Sequence, residues 1–316
     1  MTQPLTPKLA AREDVPQVLA LLNGTFRTPT DEKTWEWYVY GNPFGATRVY
    51  LLVEKETQAP AGVFAYTPVP LRIGNVPIVA SSGHHLCLRP AYQGGAAFMA
   101  LSREALAGEL AQGVRLALGV PNRRSHQPQK ALLKWTDLCF LDCLYKLSPQ
   151  TRAHSCFQMD CFTAEFDEFY ARVTQKLDFC IEKNTAWMNW RFHERPGRPY
   201  TVYGIRQGAE LAGYAVLKRW REPDGYTKAH ILDLHACNDG SLAHLIAAAE
   251  TYAADCHEIN LWSAPGFPYR TVLEAAGFSS RETQRQPVIA KTLSGAPLVY
   301  PKGLGSVSYA DADFLY

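Results

Sequence analysis

The chain has 316 residues, 47% of them hydrophobic and 20% charged, so it can bury a sizeable core in about two domains of about 150 residues. Its net charge of +2 gives no electrostatic reason to expect binding to nucleic acid or to an anionic membrane. No apolar run approaches the ~20 residues of a membrane helix, and the first residues lack the apolar core of a signal peptide. We therefore expect a cytoplasmic protein that binds neither nucleic acid nor membrane.

The eight cysteines form no Cys-x-x-Cys pair, and several, such as Cys139, lie within apolar runs. In a chain of this length without an export signal, reduced and buried thiols are expected rather than disulfides. His84, His85 and Cys87 do not indicate a metal site, because neighbouring side chains on a strand diverge and no fourth ligand is evident.

Hydrophobic patterning predicts alternating strands and helices in the first half of the chain. An amphipathic helix is predicted to begin at Asp14, with Val18 and Leu22 on its apolar face, and another runs from Gly95 to Gly113. In chain order the predicted elements are strand 8–12, helix 14–26, strands 48–56, 62–68 and 76–82 (continued by 83–88), helix 95–113, strand 116–120, helix 129–135 and strand 140–147.

The second half repeats this plan after a polar, aperiodic segment at 148–155, which we interpret as a linker. Its predicted elements are helix 166–179, the hairpin 200–206 and 211–220, strand 230–236, helix 240–256, strand 258–263, helix 268–276 and strand 287–293. Strands and helices alternate in both halves, which indicates an α/β or α+β fold with mixed, mostly antiparallel sheets flanked by helices.

Residues of the same type recur at a spacing of 153, which indicates an internal duplication. The pairs are Asp14 with Asp167, Phe26 with Phe179, Trp37 with Trp190, Pro43 with Pro196, Val49 with Val202 and Tyr50 with Tyr203. Their shared phase runs through a whole helix–loop–strand unit. We therefore predict two related domains, at 1–147 and 156–316.

A glycine turn between a buried strand and a helix is the main candidate ligand site. Pro90 ends the strand, and Gly94 and Gly95 allow positive φ and a close approach of a ligand to the backbone. The first N–H groups of the following helix lack partners within the helix and could bind a pyrophosphate. The same pattern also fits a simple packing corner, so both interpretations stay open.

The segment Pro90–Phe98 resembles the phosphate motif Arg/Gln-x-x-Gly-x-Gly/Ala of the GCN5-related N-acetyltransferase (GNAT) superfamily, with Gln93 at its first position. Ala96 stands in place of the usual glycine, and Phe98 where glycine or alanine is commoner. The run Asn189–Phe192 resembles a signature of two-domain members. The resemblance implies two tandem GNAT-like domains, of which the second is degenerate because His235–Leu242 contains a single glycine.

The resemblance also implies acetyl-CoA or another acyl-CoA as cofactor, and transfer of its acyl group to the amine of a small polar acceptor. The second domain would then serve substrate binding or packing. The implied cofactor-binding residues are Leu86, Cys87 and Leu88 for the pantetheine and thioester, Gln93, Gly94, Gly95, Ala96, Ala97 and Phe98 for the pyrophosphate, and Asn122 where the next strand splays away.

Transfer to an amine needs a group that takes the amine's proton. His84 and His85 lie just before the motif and are the catalytic candidates. Strand alternation would put them on opposite faces, so at most one is expected to face a cleft. A buried structural role is the other interpretation of each. Cys87 has no nearby His–Asp pattern that would make it a nucleophile.

Two other functions stay open. The departure at Ala96, and the absence of a tyrosine that often serves as general acid in the family, favour a degenerate, non-catalytic tandem that acts as a binding module. An aminoacyl transferase of the FemAB kind also pairs two such folds. It would need a basic surface for tRNA, which the near-neutral charge does not provide.

Overall fold

The computed structural model describes residues 4–26, 29–295 and 307–311, without the side chains of 282–284, and shows a mixed α/β fold. The strands of these ranges are β1 Leu5–Leu9, β2 Arg48–Glu54, β3 Pro60–Ile73, β4 Val76–Leu88, β5 Leu116–Gly119, β6 Thr136–Leu147, β7 Phe157–Gln158, β8 Phe179–Ile181, β9 Tyr200–Gln207, β10 Glu210–Arg221, β11 Thr227–Ala236, β12 Glu258–Ser263 and β13 Ser279–Thr292. The helices are α1 Val15–Thr25, α2 Glu32–Tyr40, α3 Gly95–Ala111, α4 Arg123–Leu133, α5 Glu165–Thr174, α6 Thr185–Phe192, α7 Asp239–Tyr252 and α8 Arg270–Ala275.

One continuous sheet joins the two halves of the chain. Its order is β1-β2-β3-β4-β5-β13-β6-β12-β11-β10-β9-β7, with β8 beside β3. Among the described strands, β4–β5 and β11–β12 are parallel pairs and all other pairs are antiparallel. The last strand of each half is exchanged, because β13 pairs with β5 and β6 pairs with β12. The strand order is therefore palindromic: counted from one edge of the sheet, the strands of the first half occupy the same positions as the corresponding strands of the second half counted from the other edge.

Helices cover both faces of this sheet because its strands are apolar on both sides. Along β2, Val49 and Leu51 face a core that α1, α2, α5 and α6 share. The alternate residues Tyr50 and Leu52 face a second core with α3. In the second half, α7 covers a corresponding core through residues such as Leu245.

Trp37 and Trp190 meet in the shared core in a reciprocal contact. The indole Nε1 of Trp37 donates to the carbonyl of Trp190 at 2.8 Å, and Nε1 of Trp190 donates to the carbonyl of Trp37 at 3.1 Å. The two rings stack with centroids 5.1 Å apart and an interplanar angle of 25°. The two halves thus approach each other here in a locally twofold arrangement.

Several element bounds differ from those predicted. The first strand is Leu5–Leu9 rather than 8–12, and Asp14 accepts hydrogen bonds from Lys8 and from the Ala11 amide instead of capping α1. The predicted helix 166–179 ends at Thr174, and its last residue, Phe179, begins β8. Helices α2 and α6 were not predicted, although Asp31 and Asn184 carry the N-cap signal for them.

The eight cysteines are all free, and Cys161 and Cys237 are exposed. In the described ranges, no helix is long and apolar enough to cross a membrane. No group of three or more His, Cys, Asp or Glu side chains that could hold a metal ion lies in that part of the chain.

We expect the protein to lose stability in mild acid partly through His235, which is buried in β11. Burial lowers the pKa of His235 from 6.5 to about 4, so the unfolded chain binds this proton more readily between those pH values. The free energy of unfolding should therefore fall as pH decreases from 6.5 towards 4, by about 2–3 kcal/mol from this group. Urea unfolding at pH 7, 5.5 and 4.5 measures the free energy of unfolding at each pH, and this free energy should fall less steeply with decreasing pH in His235→Gln than in the wild-type protein. An equally steep fall in both proteins would contradict the prediction.

Candidate functional site

A cavity of about 500 Å³ opens where β4 and β5 separate. The two strands pair in parallel from Ala80 with Leu116 to Gly83 with Gly119. There β5 ends, while β4 continues to Leu88. The cavity lies in the resulting gap, and residues of the second half close its other side. Its size suits a small-molecule site.

A β-bulge in β4 shapes the wall of this cavity. Val63 pairs with Cys87 and Ala65 with His84, so β4 carries an extra residue opposite Phe64. His85 adopts a left-handed conformation with φ of 57°. For a residue other than glycine this conformation costs about 1–3 kcal/mol, and such strain is typical of functional sites.

The bulge corrects the expectation that His84 and His85 lie on opposite faces. Both residues line the cavity, and their ring centroids are 6.2 Å apart. The His85 ring packs edge-on against Tyr38 at 5.1 Å and Phe26 at 6.0 Å, while His84 is buried. The strict alternation used for the prediction fails because the left-handed residue turns the strand between the two side chains.

The glycine turn leads from β4 into α3 and is held by a cluster on its outer side. Arg89 pairs with Glu54, and the Tyr92 hydroxyl donates to the same carboxylate at 2.7 Å. Gly94 is extended, with φ of 170°, and neither it nor Gly95 adopts the left-handed conformation that glycine would allow, so the turn does not use that freedom. Both glycines stand in open space, because a Cβ at either of them would meet nothing within 4 Å.

The start of α3 is open to solvent. Gly94, Gly95 and Ala96 are exposed, and no side chain caps the helix. Its first N–H groups point out of the helix end and carry its positive dipole end, which suits an anion. By contrast, the corresponding helix α7 is capped by the Asn238 side chain and carries Asp239 in its first turn, which disfavours a phosphate.

The residues expected to bind a cofactor fall into two groups. Leu86 and Asn122 line the cavity, whereas Cys87, Leu88 and the turn Gln93–Phe98 lie beyond its lining. The Asn122 side chain already accepts hydrogen bonds from two amides as the N-cap of α4. Burial raises the pKa of the Cys87 thiol to about 11, so it is protonated at neutral pH and a poor nucleophile.

Sequence reasoning missed the opposite wall of the cavity, which comes from the second half. In the described lining, every charged side chain belongs to that half: Arg191, Lys228, Glu258 and Arg281. His230 and Asn260 lie beside each other in the same wall, on the parallel pair β11–β12. The missed signal is the alternation of Glu258, Asn260 and Trp262, which brings polar groups to one face of an otherwise apolar strand.

The corresponding gap between β11 and β12 is filled by the chain itself. Tyr309 stacks on Trp262 with ring centroids 4.1 Å apart. Asp311 is buried and pairs with Lys183 at 3.2 Å, which anchors the segment 307–311. The remaining cavity there is about 10 Å³, too small for a cofactor.

Comparison with known proteins gives matches among solved structures only, since neither a family model nor a curated protein matches the chain. A GCN5-related N-acetyltransferase from Anabaena variabilis matches with a TM-score of 0.70 and 14% identity, over 92% of this chain and 73% of that one. A second, from Kribbella flavida, gives 0.64 and 11%, over 92% and 71%. Saccharomyces cerevisiae N-myristoyltransferase with bound myristoyl-CoA gives 0.68 and 10%, over 94% and 84%. The chain therefore has a GNAT-like fold, as predicted.

Proposed function

We propose that the protein is an acyl-CoA-dependent N-acyltransferase. The observation that carries the proposal is the gap between β4 and β5, where a strained bulge lines a cavity of about 500 Å³ and β4 leads through the glycine turn to an uncapped helix end. Structures with this fold include N-acetyltransferases and an N-myristoyltransferase with bound myristoyl-CoA, which supports an acyl-CoA as cofactor.

The cofactor's pyrophosphate would bind the N–H groups at the start of α3, along Gln93–Phe98. Its pantetheine would lie along Leu86–Leu88, where the strand amides left by the separation of β4 and β5 could polarise the thioester carbonyl. We propose acetyl-CoA as the first acyl donor to test. His84 and His85 lie beside the bulge and are the candidates in this half for taking the amine's proton.

We further propose that the halves 1–147 and 156–316 arose by duplication, with the second degenerate as a cofactor site. The reciprocal contact of Trp37 with Trp190 and the palindromic strand order support the duplication. The filled gap at Tyr309 and the Asn238 cap support the loss of cofactor binding. The acceptor amine, a small polar molecule, would enter between the halves, and the cytoplasm remains the proposed location.

Gly95→Glu is expected to weaken acetyl-CoA binding about 100-fold or more, because a carboxylate at the start of α3 repels the pyrophosphate by several kcal/mol. The side chain has open space, so the variant should fold normally. Isothermal titration calorimetry measures the change, and Gly24→Glu, in equally open space at the end of α1, is the matched control.

No binding of acetyl-CoA or a longer acyl-CoA to the wild-type protein would refute the proposed function. If Gly95→Glu bound acetyl-CoA as tightly as the wild-type protein, the cofactor would not bind at the turn. Acyl-CoA binding without transfer to any amine would instead support the non-catalytic binding module, which the Asn122 cap and the substitution at Ala96 favour.

A further inference from the structure

We propose that the side-chain amide of Gln129, on α4, binds an amide of the cofactor's pantetheine arm and so contributes to specificity for the acyl donor. The proposal rests on the proposed function, because it requires an acyl-CoA in the cavity. It adds a contact from α4 to the backbone contacts that the edge of β4 would provide.

Gln129 is a buried polar side chain in the wall of the cavity. The residue is 6% exposed and lines the cavity together with Gly119 and Trp135. In the part of the chain that the structure describes, its side-chain amide makes no hydrogen bond, yet the amide nitrogen and oxygen are not fully buried. Buried polar groups in folded proteins nearly always have a partner, so an open amide in a cavity wall is a group that a ligand can satisfy.

The other polar side chains that α4 contributes to the cavity wall already have partners. Asn122 accepts hydrogen bonds from the amides of Arg124 and Ser125, and the Ser125 hydroxyl donates to Asn122 at 3.3 Å. Residues 122, 125 and 129 share one face of the helix, because they are three and four positions apart. Gln129 is therefore the group on this face that remains to bind a ligand.

The cavity passes through the sheet, and Gln129 lies on the side where the cofactor would enter. Phe64 and Trp135 line the cavity and belong to the core that contains α3, whereas Leu232 lines it from the core that α1 and α2 share. Phe98, at the start of α3, packs against the first of these cores. A pantetheine arm that runs from a pyrophosphate at α3 into the gap would therefore pass Gln129 before its thioester reaches the other face.

The chemistry of the pantetheine arm matches an amide at this position. The arm contains secondary amides, and in the trans form their N–H and C=O groups point to opposite sides. The edge of β4 beyond the end of β5 can bind the group that faces it. The opposite group then faces apolar wall residues such as Leu118 and Val120, where an unpaired polar group would weaken binding. The Gln129 amide both donates and accepts, so it can bind either group.

Isothermal titration calorimetry with two ligands tests the proposal. Gln129→Met keeps the length of the side chain and removes its polar atoms, so it should weaken acetyl-CoA binding about 10-fold. Binding of 3′-phospho-ADP, the nucleotide half of CoA without the arm, should stay unchanged. Gln127→Met makes the same exchange at an exposed position of α4 and should bind acetyl-CoA like the wild-type protein. Urea unfolding should show no loss of stability in Gln129→Met, because the amide it removes has no partner among the described residues.

A second measurement observes the contact directly. The side-chain amide signals of Gln129 in a ¹H–¹⁵N NMR spectrum, identified by their loss in Gln129→Met, should shift when acetyl-CoA is added and stay in place with 3′-phospho-ADP. An acetyl-CoA Kd within about 2-fold of wild type in Gln129→Met, or an equal loss of affinity for both ligands, would overturn the proposal and leave the proposed function intact. Absence of acetyl-CoA binding to the wild-type protein would overturn both.

Discussion

Lys183→Met is expected to lower the free energy of unfolding by about 3–5 kcal/mol. Lys183 is fully buried between two carboxylates, at 3.0 Å from Asp233 and 3.2 Å from Asp311. Tyr214 donates to Asp233 at 2.7 Å, and the Ser308 hydroxyl donates to Asp311 at 3.0 Å. Without the ammonium, the buried Asp233 carboxylate would be left without its positively charged partner, which is the costly way to break a buried ion pair.

Urea unfolding measures this change, provided that the slope with denaturant stays constant. The triple variant Lys183→Met with Asp233→Asn and Asp311→Asn removes the whole charged group and should recover a large part of the loss. If Lys183→Met alone costs less than about 1 kcal/mol, the three side chains do not form the buried cluster described above.

Trp37→Ala is expected to cost about 3–5 kcal/mol, because it removes a large buried ring and the reciprocal contact with Trp190. Trp37→Phe keeps most of the ring stacking but leaves the Trp190 carbonyl without its donor, which should cost about 1–3 kcal/mol. Trp190→Ala should have a similar effect, because the two residues make equivalent contacts.

A double-mutant cycle of Trp37 and Trp190, again by urea unfolding, separates their contact from the loss of each ring. We expect a coupling of about 0.5–3 kcal/mol. Trp220→Ala removes the same side chain from a half-buried position at the end of β10, and it should cost less than either core substitution. Additive effects of the two core changes would show that the contact contributes nothing of its own.

The sequence carried enough information to predict the fold class and the position of the glycine turn between β4 and α3. Local patterning places most strands and helices, because burial of alternate residues leaves a period of two or 3.6 in the chain. The repeat spacing of 153 residues relates Trp37 to Trp190 in the sequence, and these two residues are in contact in the structure. The turn at Gly94 and Gly95 can be recognised from the local sequence, because Pro90 ends the preceding strand and small residues begin the following helix.

Other features depend on contacts that local patterns do not encode. The left-handed backbone of His85 arises from pairing with β3, so alternation gave the wrong geometry for the histidine pair. The wall at His230 joins residues from β11 and β12, which are distant in sequence from the turn. Local patterns also do not predict the exchange of β6 and β13. Each of these strands could pair with β5 or with β12, and its hydrophobic pattern fits either neighbour.

The exchanged strands affect the order in which the protein can be completed during synthesis. Gly119 pairs with Ile289, so the edge of β5 lacks this neighbour until synthesis has reached Ile289. At about 5–20 residues per second, that interval lasts on the order of 10–30 s. An open strand edge exposed for this time can pair with other chains, which is the usual liability of an unpaired edge.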